Sequence, residues 1–129
     1  ANFVKLGLHQ GFGITHTLPR LVGAQNAHRL LLTGSRISGT AALDLGLIDK
    51  LVSPENVRKE AISLASEIAE NAPLAISSVR ATIQTDMERQ VSEITKHELS
   101  EQQKLRGTKD AYEGIRAVAE RRPGNFSGN

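Results

Sequence analysis

Only two segments of this chain have the run of apolar residues that is typical of a β-strand, residues 3–6 and residues 47–52. A lone strand or a two-stranded ribbon is marginally stable in water, because its backbone groups lack partners. We therefore expect a mostly α-helical chain with a few short β-strands, and we expect the rest of the sheet to lie outside this chain.

Helix start and stop signals divide most of the remaining sequence. They predict helices over residues 24–32, 38–45 and 109–121, a helix that begins at Ser53-Pro54, and a helix from Pro73 that continues to residue 105. Serine and threonine before a helix cap its first turn, and proline fits its first position. Residues 88–105 are polar with sparse apolar positions, which predicts a solvated helix or a narrow seam on a partner.

Gly7, Gly11 and Gly13 place three glycines within seven residues, directly after the first apolar run. A P-loop would need lysine followed by serine or threonine after its last glycine, and a dinucleotide fingerprint would need glycine at His16. Both phosphate-binding motifs are therefore excluded. The glycines indicate a corner between a strand and a helix, and such a corner also lets a ligand approach backbone amides closely.

Three further groups of residues have a functional and a structural interpretation. Residues 96–101 begin like the zinc motif H-E-x-x-H, but a glutamate replaces the second histidine, so a solvated helix face is favoured. His9 and His16 could act as acid or base near neutral pH, but ordinary polar lining is favoured. Arg121 and Arg122 suit a helix C-terminus, with phosphate anchoring as the alternative.

Composition excludes several classes of function. Sixteen basic residues against 14 acidic ones give a net charge of +2, which does not indicate a nucleic-acid or membrane-surface partner. Cysteine is absent, so neither disulfides nor thiolate metal sites are available, and no apolar run approaches membrane-spanning length. We expect a cytoplasmic protein.

The order of motifs resembles the crotonase superfamily, the enoyl-CoA hydratases and isomerases. Residues 6–23 read L-G-L-x-x-G-x-G-x-T-x-x-L-P-R-L-V-G, which is similar to the family's P-E-x-x-x-G-x-x-P-G-x-G-G-T-x-x-L-P-R-x-x-G. Residues 27–48 resemble its A-x-x-L-x-L-T-G and following I-x-A-x-E-A-x-x-x-G-L-V segments, and residues 110–128 resemble its C-terminal D-x-x-E-G to F-x-G segment. The resemblance covers only the family's C-terminal half, and implies the C-terminal part of its α/β fold.

The resemblance implies enolate chemistry on an acyl-CoA thioester, polarised by two backbone N–H groups. Both donors and the first hydratase glutamate belong to segments that would precede Ala1. The second hydratase glutamate falls four residues before Gly7, at Phe3, and phenylalanine cannot transfer a proton. We therefore expect no catalytic residue in this chain, and an isomerase-like or divergent reaction in the intact protein.

The resemblance also implies substrate-binding roles, with no metal and no cofactor beyond the acyl-CoA substrate. The residues concerned are Phe3, His9, Gly11, Phe12, His16, Arg122 and Phe126. Gly11 would present its amide beside the reacting carbons, and the last two residues resemble a region that approaches the CoA nucleotide of a neighbouring subunit. Homo-oligomers, trimers or dimers of trimers, are expected.

We expect residues 1–52 to form the end of the crotonase core and residues 53–129 a helical assembly region. The chain begins at Ala1 without an initiator methionine, which favours a truncated piece of a longer enzyme that is inactive alone. The alternative is a non-catalytic helical interaction or oligomerisation module derived from a crotonase.

Overall fold

The computed structural model describes residues 2–129. Within these residues the regular structure is helical. A 3-10 helix, Phe3–Leu6, comes first, and a second, Pro54–Asn56, precedes the fourth α-helix. The α-helices are α1 Ile14–Val22, α2 Ala24–Thr33, α3 Gly39–Asp44, α4 Val57–Ala69, α5 Pro73–Ile83, α6 Met87–Leu105 and α7 Lys109–Ala119.

The expectation of a few short β-strands is wrong within residues 2–129. Residues 3–6 form a 3-10 helix that Gly7 ends in the left-handed conformation, and residues 47–52 form bends and irregular chain. No second strand is present in the described part of the chain to accept hydrogen bonds from either segment. The backbone groups of the first segment therefore pair locally, as in the bond from the Leu8 amide to the Phe3 carbonyl.

The predicted helix starts agree with the structure at Ser38, Pro73 and Thr108. The Ser38 and Thr108 hydroxyls accept hydrogen bonds from the amides of Ala41 and Ala111, both at 3.1 Å. The predicted continuous helix from residue 73 to 105 is wrong, because the chain breaks between α5 and α6, where Asp86 is left-handed with φ +62°.

A cluster of buried apolar side chains lies between α1 and α2. Its buried members are Leu18, Val22, Ala27, Leu30 and Leu31. The two helices are joined by Gly23 alone, and they pack against each other so that these side chains are shielded from water. α6 returns to α1, and α7 packs against the N-terminal 3-10 helix, so the end of the chain lies beside its beginning.

α7 crosses the N-terminal segment at a distance that only glycine permits. A Cβ at Gly114 would lie 2.5 Å from the carbonyl carbon of Leu6, and one at Gly7 would lie 2.5 Å from the carbonyl oxygen of Asp110. Ala111 and Ala117, on the same face of α7, are almost fully buried. Small residues on both sides thus let two backbones meet beside the glycine-rich stretch.

Candidate functional site at the glycine corner

Residues 7–13, which we call the glycine corner, lead from the 3-10 helix into α1. Phe12 and Gly13 are consecutive left-handed residues, with φ values of +63° and +72°. Glycine adopts this conformation freely, whereas for phenylalanine it is less favourable by about 1–2 kcal/mol of conformational free energy. A bulky residue held in this conformation is unusual and marks a backbone shape that its surroundings impose.

Two of the predicted lining residues meet at this corner. The ring centroids of Phe3 and Phe12 are 6.2 Å apart, within the range of aromatic contacts. Phe12 is 88% exposed, and Phe3 is half-buried. The pair forms an apolar surface that residues 2–129 leave open to solvent, so these residues form at most one wall of a pocket.

Gly11 is buried with no room for a side chain. A Cβ at this position would lie 2.7 Å from Nε2 of Gln102, the atom that donates to the His9 carbonyl at 3.0 Å. Within residues 2–129, the amides of His9, Gln10, Gly11 and Phe12 donate to no acceptor. Four consecutive backbone N–H groups of the corner therefore lack an acceptor, and those of Gly11 and Phe12 adjoin the exposed Phe12 side chain.

The two histidines of the prediction have different surroundings. Nδ1 of His9 lies 2.9 Å from the Gln10 carbonyl oxygen, so it carries the proton of this hydrogen bond, and the ring meets His97 edge-on at 6.1 Å. His16 is on α1, and its buried Nε2 has no hydrogen-bond partner in the described residues. The side chain of Gln10, also buried, donates to the Leu31 carbonyl and ties the corner to α2.

A buried carboxylate behind the corner is the main feature that the sequence did not predict. Glu98 on α6 is 1% exposed, so the expectation of a solvated helix face over residues 96–101 is wrong at this position. Its Oε2 accepts from the Gly13 amide at 2.7 Å, and its Oε1 accepts from the Thr15 amide at 3.1 Å and hydroxyl at 2.5 Å.

A sequence signal for Glu98 exists in the spacing of α6. The sparse apolar residues Val91 and Ile94 precede Glu98 and Gln102 at intervals of three and four, which places all four on one helix face. Val91 lies beside Gly13, at 3.2 Å from the position of a Cβ there. The narrow apolar face of α6, which we expected to pack on a partner, therefore packs in part against the glycine corner of the same chain.

Arg122 and Phe126, the C-terminal residues of the prediction, line hollows away from the Phe3–Phe12 pair. Arg122 lies in a groove with Lys5 and Arg36, and Phe126 lines a smaller hollow beside Gly7. The Arg122 guanidinium already holds Glu113, at 2.5 and 3.1 Å, and Glu120 at 2.6 Å. An anchoring role for Arg122 would have to compete with these ion pairs.

Carboxylates of α7 hold the C-terminal segment. Hydrogen bonds from Arg122 and from the Asn125 amide lower the pKa of Glu113 to about 2. The amides of Ser127 and Gly128 both donate to Asp110 at 2.8 Å, and these bonds lower the pKa of its carboxyl group. The segment therefore lies along α7 while these groups are ionised.

Two classes of site find no support in residues 2–129. No three ligand side chains of the His, Cys, Asp or Glu type come together there to hold a metal ion. No helix in that part of the chain is both long and apolar enough to cross a bilayer.

A sequence model described as enoyl-CoA hydratase/isomerase matches residues 1–129. The chain belongs to this family. It is 34% identical over 123 residues to a crotonyl-CoA hydratase of Syntrophomonas wolfei, covering 95% of this chain and 47% of that protein. It is also 34% identical over 124 residues to a probable mitochondrial enoyl-CoA hydratase 2 of Arabidopsis thaliana, covering 96% of this chain and 41% of that protein.

Solved structures of the family have the same arrangement of helices. A carnitinyl-CoA dehydratase from Mycobacterium avium 104 matches with a TM-score of 0.85 at 31% identity, covering 99% of this chain and 51% of that one. The chain therefore spans about half the length of the curated and solved relatives it matches.

Proposed function

We propose that this chain is part of an enzyme that acts on acyl-CoA thioesters by stabilising an enolate. The observation that carries the proposal is the pair of amides at Gly11 and Phe12, which donate to no acceptor in residues 2–129. Preorganised backbone N–H groups at this place can hold a water or the substrate beside the reacting carbons. The exposed Phe12 ring supplies apolar surface for the acyl chain next to these donors.

The reaction is isomerase-like or otherwise divergent. At the position of the family's second hydratase glutamate stands Phe3, whose ring contacts Phe12. An apolar pair cannot deliver the proton that hydration of an enoyl thioester requires. The remaining substrate contacts in this proposal come from His9 and His16, and from Arg122 and Phe126 towards the CoA nucleotide of a neighbouring subunit, with no cofactor besides acyl-CoA.

The chain supplies about half of the catalytic fold and does not turn over substrate alone. This proposal rests on the share of each relative that the chain covers and on the open Phe3–Phe12 surface. In it, residues 1–52 complete the core, residues 53–129 form a helical assembly region, and the covered half is the C-terminal one. Assembly into a homo-oligomer and a cytoplasmic location remain predictions, the second supported by the absence of cysteine.

Binding and turnover of crotonyl-CoA by the purified chain test the proposal. We expect binding by calorimetry without hydration in a coupled assay. Phe12→Ser should weaken binding about tenfold, because apolar burial against the acyl chain is lost. Leu32→Ser is the matched control, since Leu32 is 75% exposed on α2.

Two results would contradict the proposal. Substantial hydration by the chain alone would show that it carries a complete active site. Absence of crotonyl-CoA binding would remove the acyl-CoA role and favour the non-catalytic interaction module.

A further inference from the structure

Glu98 is a buried ionisable side chain that the proposed chemistry does not use. It comes from α6, yet its carboxylate contacts Gly13 and Thr15, 85 and 83 residues earlier in the chain. Among residues 2–129, it is also the largest side chain that is completely buried. A side chain of this polarity is rarely buried unless specific partners satisfy it, so its surroundings define its role.

Hydrogen-bond donors, not cations, compensate the carboxylate. Among residues 2–129, no lysine, arginine or histidine forms an ion pair with Glu98. Its three partners are two backbone amides and one hydroxyl at the first turn of α1, where the helix dipole also favours negative charge. Such charge-assisted hydrogen bonds are short and strongly directional.

The bonds to Glu98 fix one end of the Gly11–Phe12 segment, and Gln102 fixes the other. Gln102, one turn further along α6, donates to the carbonyl of His9 at 3.0 Å. Gly11 and the left-handed Phe12 lie between these two anchor points. A single face of α6 therefore determines how the corner's peptide groups are oriented.

We propose that Glu98 is a positioning residue, which holds the Gly11 and Phe12 amides in the orientation that meets an acyl-CoA thioester. This inference rests on the proposed function. Glu98 itself does not touch the substrate, because its carboxylate oxygens accept hydrogen bonds from Gly13 and Thr15 on the buried side of the corner.

The chemistry requires a carboxylate at this position. Three donors converge on two oxygens, so both oxygens must accept. Glutamine has almost the same size, but its amide nitrogen would turn a donor towards another donor. Glu98→Gln should therefore break the hydrogen bonds at one of the two oxygens, while the volume of the buried side chain stays almost the same.

Nuclear magnetic resonance and crotonyl-CoA titration of the 129-residue chain test the inference. In Glu98→Gln we expect displaced or broadened amide signals at Gly11, Phe12 and Gly13, and crotonyl-CoA binding weakened at least about tenfold. Ser38→Ala is the control, because it removes a helix-capping bond of α3 and destabilises the chain outside the corner.

A second pair of variants covers the case in which Glu98→Gln fails to fold. Thr15→Val removes only the hydroxyl bond to Glu98 and should weaken binding several-fold, and Thr15→Ser should restore it. The same amide signals should move in the valine variant and return in the serine variant.

Equal loss of binding in Ser38→Ala and Glu98→Gln would overturn the inference, since Glu98 would then act only through stability. Unchanged Gly11 and Phe12 signals in Glu98→Gln would overturn it as well. If the parent chain binds no crotonyl-CoA, the substrate part falls together with the proposed function. The amide signals alone then decide whether Glu98 positions the corner.

Discussion

Gly114 allows α7 to lie directly on the backbone of Leu6, and this contact packs the last helix against the N-terminal segment. We predict that Gly114→Ala lowers the free energy of unfolding by about 1–3 kcal/mol, because the added methyl would lie 2.5 Å from a backbone atom that cannot move aside alone. Urea denaturation measures the change.

Gly107→Ala is the matched control for this prediction. No atom lies within 4 Å of the added methyl, so we expect unchanged stability or a gain of up to about 1 kcal/mol. Equal destabilisation by both substitutions would show that the close approach at Leu6 is not the cause.

In the proposed function, Phe3 determines which reaction the intact site performs. We predict that Phe3→Glu raises hydration of crotonyl-CoA by about 100-fold when this chain is joined to the part of the Syntrophomonas hydratase that it does not match. The reason is that a carboxyl group at this position can transfer the proton that phenylalanine cannot.

Phe3→Gln in the same chimera separates polarity from proton transfer. We expect it to leave the rate of hydration low, since an amide does not ionise. Equal activity of the glutamine and glutamate variants would contradict the assignment of Phe3 to the position of the family's acid.

At the residue scale, the sequence could predict the corner but not the group that holds it. Gly7 and Gly13 are left-handed, as glycines at a chain reversal are expected to be. Glu98 was missed because its partners, two backbone amides and the Thr15 hydroxyl, lie more than 80 residues away. The spacing of apolar residues on α6 indicates which helix face packs, but not whether a glutamate on that face is buried.

At the scale of elements, local chemistry predicted the helix starts and failed for the strands. Ser38, Pro73 and Thr108 act within one turn of themselves, so their neighbours suffice to predict their effect. A strand depends on a partner elsewhere, and within residues 2–129 the apolar segment 3–6 has none and forms a 3-10 helix. The break between α5 and α6 at Asp86 could not be predicted, because no glycine or proline lies there.

The attachment of the C-terminal segment to α7 should depend on pH. The pKa of Glu113 falls from its ordinary value of 4.5 to about 2 in the folded chain. Its ionisation therefore stabilises the fold above about pH 4.5, and this contribution is lost as the pH falls towards 2. We predict that the free energy of unfolding declines less over this range in Glu113→Gln than in the parent.

Thermal unfolding followed by circular dichroism at several pH values measures this difference. Glu88→Gln is the control, because Glu88 is exposed on α6 and forms no ion pair within residues 2–129. A parallel acid dependence in parent and Glu113→Gln would show that the bonds to Arg122 and Asn125 do not contribute.

At the scale of the whole molecule, the core is small relative to the apolar surface that stays exposed. The buried cluster centres on α1 and α2, whereas α4 and α5 contain no buried residue. Val79 and Ile83 lie one turn apart on α5 and are 57% and 72% exposed, beside Ile68 of α4. Exposed apolar patches of this kind mark surfaces that associate.

We predict that the chain self-associates through this face of α5, so that its mass by light scattering exceeds the 13.9 kDa of one chain. Val79→Glu with Ile83→Glu should return it to the single-chain mass, because charge on a buried interface is costly. Leu21→Glu with Leu32→Glu is the matched pair, 59% and 75% exposed on α1 and α2, and should leave the assembly intact. A parent chain that already runs at 13.9 kDa, or an assembly lost only in the α1–α2 pair, would contradict the prediction.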